Sequence, residues 1–454
     1  MRRDNDFTAG KILSPLICFM LPVFFAMFLQ SMYGAVDLLI VGQFAQSLDV
    51  SAVSTGSQMM TTITNLVTSF AMGTTIILGQ RIGEGRGRDG GEVIGSSICL
   101  FGVIAAAFTV LIPLLCRPLS SLMNAPDEAF DATASYIRIC GFGSLFIISY
   151  NVIGAVFRGI GDSRTPLMTV FIACVCNIAG DLLLVAVFHM GTSGAAMATV
   201  FAQAISVAVS FLLLRKRELP FRLSRKDIRF NGAINRRVTA LGLPIALQDL
   251  LVGISFLVLL AIVNGLGLIP SAGIGVAQRV CGFIMLIPAA FMQAMAAFAA
   301  QNIGAGNYPR AKKALGYAIA VSTALAVVMF AVTFWGGHLL AGIFSNDPQV
   351  ITAAAEYLKA YAIDCLQTCF LFCFIGFFNG IGMTRFVMFQ GIAGAFLVRI
   401  PVAFLMSREV PVSMFHIGLA TPCSTVLQVI LCLICFRVSN KKYGQPKPNY
   451  KSGR

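Results

Sequence analysis

The amino-acid sequence contains an internal repeat with an offset of 221 residues. The motif QRIGEG at 80–85 recurs as QNIGAG at 301–306, and the segment 136–161 recurs at 357–382 with the same offset. Two separate stretches that share one offset are hard to obtain by chance. Each copy is mostly apolar and long enough for several membrane crossings, and duplicated membrane halves are typical of secondary transporters. The repeat therefore favours a transporter built from two similar bundles.

The composition excludes a water-soluble fold for this chain of 454 residues. Hydrophobic residues make up 57% of it, charged residues make up 11%, and the mean hydropathy is +0.84. About 20 consecutive apolar residues span the hydrocarbon core as a helix, and a helix satisfies its own backbone polar groups where lipid cannot. We count twelve such stretches, at about 13–41, 50–78, 94–116, 132–157, 166–189, 192–214, 238–263, 271–299, 313–343, 352–380, 384–406 and 415–437.

The repeat and the spans together predict an all-α membrane protein with twelve transmembrane helices in two pseudo-symmetric six-helix lobes. We place the N-lobe at 1–214 and the C-lobe at 238–437, joined by a basic cytoplasmic linker at 215–237 and followed by a cytoplasmic tail at 438–454. Six spans per lobe insert both lobes in the same direction. We therefore expect the lobes to be related by an axis along the membrane normal, with a shared cavity between them.

The positive charge of the chain is distributed by side. The formal net charge is +14, and if the segments between spans alternate, 27 of the 33 Lys and Arg residues fall on the side with both termini. Only Arg117 and Arg408 fall on the other side, and the remaining four lie within spans: Arg138, Arg279, Lys359 and Arg399. The positive-inside rule then places both termini in the cytoplasm, which predicts a multi-pass protein of the bacterial cytoplasmic (inner) membrane. Topology accounts for the basicity, so we expect no nucleic-acid partner.

The sequence has no arrangement typical of an enzyme or a cofactor site. Most of the thirteen cysteines lie in or beside apolar spans without a partner suited to a metal, which predicts helix packing rather than disulfides. The glycine-rich loop at 80–91 follows no strand, and no Walker A sequence occurs. We find neither a nucleophile–base pair nor a metal set. We therefore expect no enzymatic activity and no cofactor.

Ionisable residues inside the spans are the strongest candidates for a functional site. A charged Asp at the bilayer centre costs roughly 2.5–3.5 kcal/mol on insertion scales, so such residues usually face a cavity or a partner. The N-lobe has Asp37 in span one and Asp181 in span five. The C-lobe has Asp249 in span seven and Asp364 in span ten.

Helix geometry brings four polar N-lobe side chains to a similar depth. At 1.5 Å per residue, Asp181 lies ~22 Å from the cytoplasmic side and Thr199 ~12 Å below the outer surface. Asp37 falls in the outer half of span one, and Asn177 shares a helix face with Asp181, four residues later. We therefore predict a cation- or proton-coupling site at Asp37, Asn177, Asp181 and Thr199.

The chemistry of such a site indicates the coupling ion. Two carboxylates in a desolvated site repel each other, which favours a proton on one of them. The site can exchange that proton for a hard cation such as Na⁺, held by carboxylate, amide and hydroxyl oxygens. Loading with either ion would remove the attraction of the site for a cationic substrate. H⁺ or Na⁺ is therefore the expected coupling ion.

Taken in order, the motifs of the chain resemble those of the MATE (multidrug and toxic compound extrusion) family, within the MOP flippase superfamily. The resemblance covers almost the whole length, and each motif is weak alone but specific in combination. The motifs are Pro22, Val36-Asp37 and Val41-Gly42; Gln80-x-Ile82-Gly83; Phe157-Arg158-Gly159-Ile160-Gly161-Asp162-Ser163-x-x-Pro166; Asn177-x-x-x-Asp181; Gly194-Ala195-Ala196-x-Ala198-Thr199; Ala277-Gln278-Arg279; Gln301-Asn302-Ile303-Gly304-Ala305; and Arg399-Ile400-Pro401.

The resemblance implies twelve helices in two lobes and export of organic cations or other amphipathic drugs, driven by inward H⁺ or Na⁺. By motif, the N-lobe coupling site of well-studied members falls on the same four residues, Asp37, Asn177, Asp181 and Thr199. Tyr136 matches a further tyrosine near that site, although its repeat mate Tyr357 makes a structural role an equal alternative. The candidates for the substrate cavity are Gln30, Tyr136, Gln203, Gln248 and Asp364.

The second lobe departs from the pattern of family branches that carry acids in spans seven and ten. Gln248-Asp249 follows Pro244 too soon, and Asp364 lies about one turn from the corresponding place. We therefore assign ion coupling to the N-lobe.

Two functions remain open from the sequence. The first is an exporter of drugs or organic cations that alternates access by rocking its lobes, because ion and substrate favour different arrangements. The alternative is a flippase for lipid or lipid-linked oligosaccharide, which needs a groove open to lipid and cationic residues in its cavity. The expected partners are a small-molecule substrate and membrane lipids, and we expect a monomer.

Overall fold

The computed structural model describes residues 7–86, 89–216 and 224–443, without the side chains of residues 215, 216, 225, 442 and 443. All regular secondary structure in these ranges is helical. By length and composition, eleven helices can cross a membrane, and a bent pair makes twelve. The all-α membrane fold is thus confirmed.

The twelve candidate spans are labelled in chain order. They are α1 (Leu13–Phe44), α2 (Ser47–Gly83), α3 (Gly90–Leu114), α4 (Asp127–Phe142 with Ser144–Ile160), α5 (Arg164–Val187), α6 (Gly191–Leu214), α7 (Gly232–Asn264), α8 (Leu268–Gly304), α9 (Tyr308–Gly342), α10 (Pro348–Gly380), α11 (Thr384–Met406) and α12 (Met414–Lys441).

Three spans are less regular than the sequence predicts. The two segments of α4 meet at 57°, and the break falls at Gly143, where a side chain would collide with Val200 of α6. Within α5 and α11, the segments Leu182–Val187 and Gly394–Arg399 are π-helical. Apolar periodicity alone predicts none of these features, because they depend on packing between helices.

Helices α1–α6 and α7–α12 form two lobes that touch on one side. We call it the terminal side, because the described chain begins there at Phe7 and ends there with α12, and residues 224–231 before α7 lie there too. There, α2 contacts α7 and α8, and α1 contacts α8. The start of α1 also shares an apolar cluster with α8, α9 and α10, in which Phe7, Phe19 and Phe298 are buried. The space between the lobes away from the terminal side is called the interlobe cleft.

The repeated QxIGxG motif makes the contact between the lobes. A Cβ at Gly83 would lie 1.8 Å from the carbonyl oxygen of Gln301, and a Cβ at Gly304 would lie 2.0 Å from that of Gln80. Only glycine permits these two approaches. Gln80 donates from Nε2 to the carbonyl of Gly380 (3.3 Å), and Gln301 donates likewise to Gly159 (3.0 Å). The two hydrogen bonds are related by the 221-residue offset of the repeat. The duplicated motif therefore forms a pseudo-symmetric contact between the lobes, which we call the pseudo-symmetric latch.

Candidate functional site

Two carboxyl groups lie side by side in the interior of the N-lobe. Asp37 on α1 is 4% exposed and Asp181 on α5 is 0% exposed. The two carboxyl groups are close enough for their charges to interact. Oδ1 of Asp37 and both carboxyl oxygens of Asp181 have no hydrogen-bond partner among the described residues. These oxygens are therefore free to accept a proton or to ligate a cation.

An amide and a hydroxyl complete the oxygen set. Asn177, one turn before Asp181, donates from Nδ2 to Oγ1 of Thr199 on α6 (3.4 Å). Its own Oδ1 has no partner within the described part of the chain. A Cβ at Gly180 would lie 2.9 Å from that of Ala198, so small residues allow α5 and α6 to approach closely. The structure thus brings Asp37, Asn177, Asp181 and Thr199 together.

A ring of less acidic groups surrounds the carboxyl pair. Tyr136 is buried on α4 and lies close enough to Asp37 and Thr199 to interact with both side chains. Gly56 on α2 makes room for its ring, because a Cβ there would lie 2.6 Å from the Tyr136 side chain. Tyr33 on α1 interacts with Asp37 and with the side chain of Gln203. Tyr136 and Gln203, both cavity candidates from the sequence, therefore lie beside the carboxyl pair.

Tyr33 is a residue of this site that the sequence reasoning missed. It precedes Asp37 by four residues and so shares its helix face. The same spacing identified Asn177 from Asp181, so the signal was present in the sequence.

Three cavity candidates lie elsewhere. Gln30, although on the Asp37 face of α1, donates from Nε2 to the hydroxyl of Tyr150 on α4 (3.4 Å). Gln248 is buried inside the C-lobe, against Gly391 of α11. Asp364 is 2% exposed on α10 and accepts a hydrogen bond from Thr368 (2.9 Å). The structure does not bring these residues into contact with the N-lobe carboxyl pair.

The C-lobe carries a buried cation of its own. Arg399 on α11 is 4% exposed, donates to Ser255 on α7 (2.9 Å) and stacks 4.1 Å from the ring centroid of Phe256. Its charge interacts with Asp364, without a direct ion pair between these two described residues. Sequence reasoning counted Arg399 within a span but gave it no role. Asp364 therefore has a resident counter-charge, which the N-lobe carboxyl pair lacks among its described neighbours.

The two lobes consequently differ in what they can do chemically. The N-lobe pair offers carboxylate, amide and hydroxyl oxygens, which are the ligands of a proton or a hard cation. Burial of two uncompensated carboxylates is unfavourable, so the site favours the uptake of a positive charge. The C-lobe acid has Arg399 beside it and has less need of an external cation.

Comparison with protein families finds the same duplication. The MatE family model matches residues 22–183 and again residues 244–405. Each match therefore covers most of one lobe.

Curated relatives are named as multidrug resistance, multidrug export or transporter proteins. The chain is 28% identical over 389 residues to "Probable multidrug resistance protein YpnP" of Bacillus subtilis, covering 85% of each chain. It is 22% identical over 403 residues to "Multidrug export protein MepA" of Staphylococcus aureus, covering 88% of each. It is also 24% identical over 320 residues to an "FAD transporter" of Shewanella oneidensis, covering 69% of this chain and 70% of the relative.

Solved structures share the fold at low sequence identity. One is an "outward-facing conformation of a multidrug resistance MATE family transporter of the MOP superfamily", with a TM-score of 0.90 and 18% identity over 98% of this chain and 100% of that one. Another is a MOP superfamily transporter from Pyrococcus furiosus, with a TM-score of 0.91 and 19% identity over the same shares. At these identities the likeness establishes the fold alone.

Proposed function

Because the chain belongs to the MATE family of transporters, we propose that it is a secondary active multidrug exporter that antiports organic cations or amphipathic drugs against H⁺ or Na⁺ by alternating access. The observation that carries this proposal is the buried carboxyl pair of Asp37 and Asp181. Three of its four oxygens lack hydrogen-bond partners, and no basic residue compensates the pair among its described neighbours. An ion gradient can act on such a pair, since loading it with a cation removes two destabilising terms, desolvation and mutual repulsion.

The proposed cycle follows from the position of the pair. In the structure the close contacts between the lobes that carry the repeated motif lie on the terminal side, and we take the interlobe cleft to open on the opposite side. A proton or Na⁺ that enters from the open side binds at Asp37, Asn177, Asp181 and Thr199. The loaded and empty sites favour different lobe arrangements, and differential binding is what shifts such an equilibrium. Release on the terminal side then resets the transporter for the drug.

We place the protein in the bacterial cytoplasmic membrane with the terminal side in the cytoplasm. The support is the excess of Lys and Arg on that side. With this orientation, an inward H⁺ or Na⁺ gradient drives export of the drug. We further propose that the protein transports as a monomer, since the repeat supplies both lobes in one chain. The two lobes, at 1–214 and 238–437, are the units that move relative to each other.

We rank a flippase for lipid or lipid-linked oligosaccharide second. A flippase of anionic headgroups needs cationic side chains in its cavity. The buried arginine of the C-lobe, Arg399, instead points into its own lobe, towards Ser255 and Asp364. The polar N-lobe site carries acids, which suit cations.

Gradient-driven efflux from proteoliposomes tests the proposal. We would load liposomes with ethidium and impose a ΔpH or a Na⁺ gradient in separate experiments. FAD is the second test substrate, because one relative is named "FAD transporter". The proposal predicts efflux with one gradient and its loss in Asp37→Asn. No response to either gradient, together with scrambling of a fluorescent lipid, would instead support the flippase.

A further inference from the structure

Asp249 lies where the contact between α2 and α7 ends. On the terminal side of this point the backbones touch, since a Cβ at Gly242 would lie 2.1 Å from the carbonyl oxygen of Phe70. The hydroxyl of Ser69 on α2 donates to the carboxylate of Asp249 on α7, across the two lobes. One turn farther along α7, Gly253 has no atom within 4 Å of its Cβ position. Asp249 therefore stands at the closed end of the interlobe cleft.

The rotation of α7 turns Asp249 towards the cleft rather than towards lipid. Asp249 follows Gly242 by seven residues, which is two helical turns, so both lie on the α2-facing side. Its neighbour Gln248 is buried in the C-lobe, whereas Asp249 is exposed. A carboxylate inside a span is costly in contact with lipid and usually faces a cavity. The cleft is the cavity that its position offers.

The opposite wall of the cleft is polar. On α2, Asn65 and Thr62 precede Ser69 by four and seven residues and share its helix face. Both are exposed, although they lie inside a membrane span. Amide and hydroxyl groups at this depth face water more favourably than lipid. A cation at Asp249 would therefore keep polar neighbours while it is bound.

An apolar cavity lies two turns above Asp249 on the same helix. It has a volume of about 250 Å³ and is lined by side chains that include Phe256, Gln278, Met285 and Tyr361. Phe256 follows Asp249 by seven residues, which is ~10 Å along the helix. Aromatic rings and a thioether accept a flat apolar ring system, and the amide of Gln278 can orient it. Because the guanidinium of Arg399 already stacks on Phe256, the cavity suits the uncharged ring system of a ligand and not its cationic group.

We propose that Asp249 binds the cationic group of the exported drug, with the ring system of the drug in the cavity at Phe256. The substrate class is a lipophilic organic cation that carries a flat aromatic portion. This inference rests on the proposed export function and assigns substrate recognition to a different lobe from ion coupling. Substrate and ion therefore need not compete for one acid.

The same residue connects drug binding to lobe movement. The Asp249 carboxylate accepts the hydrogen bond from Ser69 that joins α2 to α7. A drug cation at Asp249 competes with Ser69 for this carboxylate. Binding of the drug therefore weakens this hydrogen bond between α2 and α7, which favours rearrangement of the lobes.

Ethidium binding to the purified full chain in nanodiscs, followed by fluorescence without any gradient, tests the inference. Asp249→Asn should weaken binding at least tenfold, because it removes the charge and keeps the size of the side chain. Ser69→Ala should bind ethidium at least as well as the wild type, since it removes a competitor. Asp131→Asn is the matched control, because Asp131 is an exposed acid that pairs with Arg117 of its own lobe and not with the other lobe. Binding by Asp249→Asn within twofold of the wild type would overturn the inference.

A second variant keeps the test decisive if Asp249→Asn does not fold. Gly253→Trp places a ring in the open space beside Asp249 and should abolish ethidium binding, whereas Gly253→Ala should bind normally. Wild-type binding by Gly253→Trp would also overturn the inference. Because these measurements need no gradient, they separate this inference from the antiport proposal: a wild type that binds ethidium through Asp249 but shows no gradient-driven efflux contradicts only the latter.

Discussion

At the scale of single residues, the two lobes differ in whether a basic side chain lies near their buried acids. The N-lobe keeps Asp37 and Asp181 together without a basic neighbour among the described residues. The C-lobe keeps Asp364 near the charge of Arg399. Breaking a buried charge arrangement by removing one partner is costly, because the remaining charge is left uncompensated. The C-lobe acid is therefore expected to serve stability more than ion exchange.

A double-mutant cycle on Asp364 and Arg399 tests whether the C-lobe acid serves stability. Arg399→Met leaves a buried carboxylate without its cation and should lower the free energy of unfolding by about 3 kcal/mol. The double variant Arg399→Met/Asp364→Asn should recover part of this loss, with a coupling of about 0.5–3 kcal/mol. Thermal unfolding followed with a thiol-reactive dye measures this coupling. All thirteen cysteines are free and most are buried or half-buried, so unfolding exposes them to the dye. Strictly additive losses would show that the two residues act independently.

Prediction of which residues lie close together succeeded where depth in the membrane and helix face were enough. Depth and helix face alone predict that Asp37, Asn177, Asp181 and Thr199 lie at one level, and family motifs mark the same positions. The same argument failed for Gln30, whose amide turns to Tyr150. The contacts of Arg399 with Ser255 and of Ser69 with Asp249 join different helices. They depend on the rotation of each helix in its bundle, which a single sequence does not specify.

At the scale of elements, both lobes place a charged residue at the edge of a π-helical turn. Asp181 immediately precedes Leu182–Val187 in α5, and Arg399 ends Gly394–Arg399 in α11. A π-helical turn changes the direction of the following side chains and is frequent at functional sites. Hydropathy locates both spans but not these turns, because an apolar run looks the same in either helix type.

The segment before α1 is an element tied to the other lobe. Arg310 at the start of α9 donates to the backbone carbonyls of Phe7, Ala9, Gly10 and Lys11, at 2.7–3.1 Å. Asn302 on α8 donates to Phe7 as well (3.0 Å). The segment therefore fastens the start of α1 to the C-lobe on the terminal side.

Arg310→Lys should loosen this fastening without changing the charge. Lysine cannot reproduce the planar fork of arginine, and hydrogen bonds to charged groups contribute about 1.5–3 kcal/mol each. We expect the backbone amides of residues 9–12 to exchange with deuterium at least about tenfold faster. Lys313→Arg, on the same helix, is the control. Unchanged exchange in Arg310→Lys would mean that packing of Phe7 alone holds the segment.

At the scale of the whole molecule, the internal repeat closes the terminal side. The hydrogen bonds of Gln80 and Gln301, and the approaches at Gly83 and Gly304, are related by the same offset as the sequence motifs. The repeat thus predicted two similar lobes, and the fold confirms them. The sequence could not show that the repeated motif itself forms the contact, because that depends on how the lobes face each other.

Gly83→Ala and Gly304→Ala should each push the lobes apart on the terminal side. The added Cβ would overlap a carbonyl oxygen of the opposite lobe, and overpacking of this kind costs about 1–3 kcal/mol. Distances between spin labels across the terminal side should lengthen by a similar amount in the two variants. Gly316→Ala, where a Cβ meets nothing within 4 Å, is the control. A shift in only one variant would contradict the pseudo-symmetric latch.

The most direct test of the account is uphill export by Asp181→Asn in proteoliposomes, beside wild type and the control Asp131→Asn. In the proposed mechanism, the buried carboxyl pair couples the ion gradient to drug export. Gradient-driven ethidium export should therefore fall at least tenfold in Asp181→Asn, while ethidium binding in nanodiscs stays within about threefold of the wild type. Uphill export at the wild-type rate by a folded Asp181→Asn protein would contradict the account.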